Sequence, residues 1–169
     1  MKIKILLSLF LTIQFCAAQT HFPDTFGFTV VGIRPNPDTV KIKTEEIKKI
    51  FSSGVFTITA WSEGCFHSIR EVYVFTKADS LYDVTYSYKA NWENIEINRQ
   101  SVKITKAKFG RILQLCLRGP GLLEGFCTTT VTFTIQNKTS TVQFFDGRCS
   151  SEDDISRALK NLVGIKEFR

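Results

Sequence analysis

Leu81-Tyr82-Asp83-Val84-Thr85-Tyr86-Ser87-Tyr88 decides the fold class of this chain. Tyr82, Val84, Tyr86 and Tyr88 alternate with Asp83, Thr85 and Ser87, a period of two that belongs to a strand with one buried face. The same period runs from Val55 to Trp61, where Phe56, Ile58 and Ala60 oppose Val55, Thr57, Thr59 and Trp61. A further β run, Ile69 to Thr76, lies between these two stretches. Three strands joined by short polar links favour an antiparallel meander. Core packing is the first explanation of the tyrosine face, and an uncovered one would instead meet a ligand or partner.

Outward from the meander the period changes to that of a helix. Thr44 is placed to cap a helix over 45–52, with Glu45 and Glu46 in its first turn, Ile47, Ile50 and Phe51 on one side and Gly54 past its end. Phe109, Ile112, Leu113, Cys116 and Leu117 define a second helix that stops at Gly119-Pro120. A third begins at Ser151, with Glu152, Asp153 and Asp154 at its positive end and Ile155, Ala158, Leu159, Leu162 and Val163 as its apolar stripe. Between the last two helices, residues 127–136 and 139–146 read as a hairpin turning at Asn137-Lys138. Residues 89–104 allow another hairpin, centred on 98–101. The expected architecture is α+β: an antiparallel sheet of five or six strands, meander plus C-terminal hairpin, with two main helices on one face.

Residues 1–18 read as a secretory signal peptide. Lys2 and Lys4 form the basic start, Ile5 to Phe15 the apolar run and Cys16-Ala17-Ala18 the cleavage region. The apolar run is too short to span a bilayer, and no later stretch approaches the length of a membrane helix. A lipid-modified cysteine is the less favoured alternative, because Phe15 stands where a lipoprotein signal wants a small residue. Residues 19–43 follow as an N-terminal segment, partly extended or an edge strand, and 44–169 as a single domain. The predicted location is periplasmic or extracellular, and the short signal resembles that of bacterial exported proteins. Asn137-Lys138-Thr139 is a glycosylation sequon that matters only in a eukaryotic host.

Export determines what the sulfurs do. Of five cysteines, Cys16 lies in the signal, and Cys65, Cys116, Cys127 and Cys149 remain, an even number that suggests two disulfides. With the turn at 137–138, paired residues would sum to about 275, which sets Cys127 nearly opposite Cys149 and leaves Cys65 with Cys116.

The composition excludes more than it identifies. The formal charge is +6, from 22 basic and 16 acidic residues; without Lys2 and Lys4 it is 20 against 16, or +4. The basic residues are interspersed with acidic ones, and Lys103, Lys106, Lys108 and Arg111 read as a solvated helix face rather than a nucleic-acid surface. His21 and His67 are the only histidines, and the absence of a Cys-x-x-Cys spacing argues against a metal site. No cofactor signature is present. Cys65 and His67 are the nearest approach to a thiol nucleophile with a base, yet no third, orienting group accompanies them. The threonines at 128, 130, 132 and 134 read as the solvent face of a strand. A non-catalytic domain that binds a protein or small ligand is therefore expected, with Trp61, Phe66, His67, Trp92, Leu122 and Leu123 as the candidate surface and residues 62–68 and 119–126 as candidate loops. The alternatives are a thiol-dependent or hydrolytic enzyme using Cys65 and His67, and a structural envelope protein associating through an open sheet edge.

Overall fold

Six antiparallel strands pair in the order β4-β3-β2-β1-β5-β6 in a computed structural model that describes residues 35–64, 67–90, 96–122, 129–146 and 155–166. All of these belong to one unit, Gly32–Arg169. The strands are β1 (Val55–Gly64), β2 (His67–Ala78), β3 (Leu81–Ala90), β4 (Glu96–Thr105), β5 (Thr129–Gln136) and β6 (Thr141–Asp146). Helix α1 (Pro37–Phe51) precedes them, α2 (Lys106–Arg118) separates β4 from β5, and α3 (Ile155–Val163) follows β6. The α+β class and the antiparallel sheet are as the periodicity predicts.

Alternation sorts the strand residues onto two faces. Phe56 and Ile58 of β1, Tyr73 and Phe75 of β2, Val84 and Tyr86 of β3, Phe133 and Ile135 of β5, and Val142 and Phe144 of β6 all turn the same way and are buried. Tyr82 and Tyr88 are half-buried against that core. The tyrosine face is therefore interior. Aromatic contacts join the layers: Phe109 of α2 stacks on Tyr82 at a ring-centroid distance of 3.7 Å, and Phe51 of α1 meets Phe56 in a tilted arrangement at 4.5 Å. All three described helices lie on this face, one more than the two main helices expected.

The boundaries depart from the expected ones for local reasons. Helix α1 starts at Pro37 rather than 45, because Asn36 accepts a hydrogen bond from the Asp38 amide and Pro37 occupies the first turn, where a missing N–H costs nothing. Thr44 does not cap; its hydroxyl donates to the Val40 carbonyl inside the helix, at 2.7 Å. Residues 37–43 are accordingly helical and not extended. Residues 96–105 form one continuous strand beside β3 instead of a hairpin.

At the C-terminal hairpin, Asn137 Oδ1 accepts from the Thr139 and Ser140 amides and organises a four-residue turn. Gln136 pairs with Thr141 and Val131 with Asp146, so partners sum to 277 rather than the expected 275. Face parity survives a shift of two. Cys127 and Cys149 lie outside the described residues, as do Cys65 and residues 1–34 with the proposed signal. Cys116 is a free, buried thiol in α2, so no bond to Cys65 is formed there. Among the described residues, no helix is long and apolar enough to cross a membrane.

Candidate functional site

The densest polar grouping lies inside the helix-covered face. Glu71 occupies a β2 position of core parity, between Ala60 of β1 and Tyr88 of β3, and is 3% exposed. A carboxylate there requires partners, since an unpaired buried charge is strongly destabilising. Helix α3 brings two, one turn apart. Ser156 donates its hydroxyl to Glu71 Oε2 at 2.5 Å, and Lys160 Nζ pairs with Oε1 at 2.5 Å. The Tyr86 hydroxyl donates to Oε1 at 3.2 Å and that of Tyr73 to Oε2 at 3.5 Å. A second buried carboxylate, Asp146 at the end of β6, accepts from the Ile155 amide at 3.5 Å, where the positive end of α3 favours a negative charge.

The chemistry of this cluster is that of a fastening. Ser156 and Lys160 both bond to the one carboxylate of Glu71, itself 3% exposed, so the three groups tie α3 to β2. Among the described residues no buried side-chain nitrogen or oxygen lacks a hydrogen-bond partner, and no group of three His, Cys, Asp or Glu residues is arranged to hold a metal ion. Cys116 is equally inert: burial pushes its pKa up from 9.0 to about 12, so the thiol is protonated at neutral pH.

The opposite sheet face has a different composition. No described helix covers it, and its residues are mainly threonine, serine and valine with single charges. One row crosses five strands: Lys89 of β3 is opposite Arg70 of β2, Arg70 opposite Trp61 of β1, and Trp61 opposite Thr132 of β5, which is in turn opposite Phe145 of β6. Trp61 is 44% exposed and Phe145 41%. Two strand spacings separate them, about 10 Å. The indole N–H of Trp61 donates to Ser68 Oγ at 2.8 Å and fixes the ring against its own sheet. Large aromatics already held in place lose little freedom on binding.

The candidate residues fall in three places. Trp61 is on this exposed row. Leu122 packs against the hydrophobic core just after the buried Gly119-Pro120 turn, so the start of the 119–126 loop belongs to the interior. His67 is opposite Gly64 at the closed end of the β1–β2 hairpin, and the 62–68 stretch is mostly strand rather than loop. Phe66, Trp92, Leu123 and Cys65 lie outside the described residues.

Phe145, Arg70 and the Glu71 cluster are what the sequence reading missed. The available signal for Glu71 was its parity with Tyr73 and Phe75, together with Ser156 and Lys160 four residues apart beside an apolar stripe. For Phe145 it was the outward parity that follows from Phe144. No known family model matches the chain, and no curated protein sequence matches it.

Proposed function

We propose that this is an exported, non-catalytic domain that binds a protein or small ligand on the sheet face opposite the helices, centred on the row Arg70, Trp61, Thr132 and Phe145. Residues 1–18 direct the chain out of the cytoplasm, and Cys127 with Cys149 forms a disulfide beyond the β5–β6 ladder. The observation that carries the binding assignment is the pair of large aromatics, 44% and 41% exposed, on one row of a face that no described helix covers. Exposed aromatics flanked by polar side chains are the usual centres of recognition energy. Among the described residues, the polar cluster around Glu71 is occupied by its own internal bonds.

The test compares the native protein with a Trp61→Ala/Phe145→Ser variant for retention of components from the host's envelope and culture fluid. Retention that the double substitution abolishes, at unchanged circular dichroism, supports the assignment. Retention that is identical in the two proteins refutes it, as does turnover of a substrate that Cys65→Ser eliminates.

A further inference from the structure

We propose that two copies of this chain associate through their β6 edges, strand β6 pairing antiparallel with its two-fold mate to form a weak dimer with a continuous twelve-stranded sheet. The two edges of the sheet differ in how they are protected. At the β4 edge, Arg99 and Lys103 are exposed, and the pairing with β3 is irregular at Tyr88/Lys89. Gln100, opposite Tyr86 and of the same inward parity, also bonds the chain after α3: its amide donates to the Lys166 carbonyl at 2.9 Å and accepts from the Lys166 amide at 3.3 Å. Charge and irregularity are devices that keep an edge from pairing.

Among the described residues, strand β6 has none of them. Its sequence, Thr-Val-Gln-Phe-Phe-Asp, contains no proline or lysine, and its one charge, Asp146, is turned inward and 4% exposed. The hairpin geometry identifies which backbone groups face outward. Asn137 N–H donates to the Ser140 carbonyl, so hydrogen-bonded pairs recur at Ile135–Val142 and Phe133–Phe144. The intervening residues Thr141, Gln143 and Phe145 direct their N–H and C=O groups away from β5. All three are exposed.

These groups are self-complementary. A two-fold axis at Gln143 sets Gln143 against Gln143 and Thr141 against Phe145, so every outward group of the three residues is paired and no like charges meet. With one unguarded edge per molecule among the described residues, the association closes at two copies and does not propagate. Strands this short give a contact at or below about 1,200 Å², the range of transient complexes. The association is accordingly weak and reversible.

Sedimentation of the native protein tests this across about 1 µM to 1 mM. The expected result is a reversible shift from monomer to dimer and no further. Gln143→Lys and Gln143→Glu, each alone, should weaken it at least about tenfold through like charges at the axis, and an equimolar mixture should restore it. Hydrogen exchange supplies the readout that does not depend on a variant folding. Protection of the Thr141, Gln143 and Phe145 amides rises with protein concentration, whereas that of Val142 and Phe144, already bonded to β5, does not. A protein that stays monomeric to about 1 mM overturns the proposal, including the case in which the edge accepts only an extended peptide from another protein. So does a dimer insensitive to both charges at 143.

Discussion

Phe144 and Phe145 are adjacent in the chain and experience opposite environments: Phe144 is 2% exposed and stacks on Phe133 at a centroid distance of 5.2 Å, whereas Phe145 is 41% exposed on the far side of the same strand. Alternation alone produces the difference. Phe144→Ala should cost about 3–5 kcal/mol in urea unfolding, the usual result of emptying a packed aromatic site. Phe145→Ala should change stability by less than about 1 kcal/mol. Equal losses at the two positions would show that the outer face is packed as tightly as the inner one.

The Phe144 ring also sets the value of a glycine. Gly119 lies in the short turn after α2 with φ of −55°, a conformation open to any residue, yet a methyl group there would run into the Phe144 ring. Because that ring is enclosed, Gly119→Ala should destabilise by about 1–3 kcal/mol. Gly110, inside α2, has nothing within 4 Å of a Cβ, and Gly110→Ala should stabilise by about 0.5–1 kcal/mol. Thermal unfolding of the two variants should therefore move in opposite directions.

Glu71 and Lys160 give the strongest electrostatic prediction. Glu71→Ala removes the carboxylate that Lys160 and Ser156 share and should cost about 3–5 kcal/mol. Glu71→Leu combined with Lys160→Met removes both charges and should recover part of the loss. A double variant no better than the worse single one would show that the pair itself contributes net stability. Chemical denaturation at neutral pH measures all three.

Alkaline pH should expose Cys116. Its folded-state pKa is raised to about 12 by burial, above that of an exposed thiol, so the native state retains its proton after the unfolded chain has released it. Stability linked to this group is intact below pH about 9 and falls as pH rises from there toward 12, by up to about 1.4 kcal/mol per unit. Cys116→Ala should flatten that part of the curve relative to the native protein. Parallel curves for the two proteins would mean that the thiol ionises without unfolding.

How much of this was legible in the sequence follows from the range of each interaction. The meander at Tyr82 to Tyr88 was readable because alternation is local and its consequence, burial of that face, is dictated by apolar area. The start of α1 was misplaced because Thr44 next to Glu45 has the composition of a cap, whereas Asn36-Pro37 does the capping. Strand β4 was mistaken for a turn because Asn98, Arg99, Gln100 and Ser101 are polar, as an edge strand beside β3 can be. Of the candidate site, Trp61 was identified and Phe145 was not, since joining them requires the register of β1 with β5 and β5 with β6. The Glu71 cluster was out of reach for a stronger form of the same reason: its members share no local pattern, and only the docking of α3 on β2 brings them together.

That docking also imposes an order on biogenesis. All six strands are synthesised before Ser156 and Lys160 exist, so a nascent sheet carries the Glu71 carboxylate with no cation opposite it. Completion of the Glu71 cluster therefore waits until residue 160 has been synthesised.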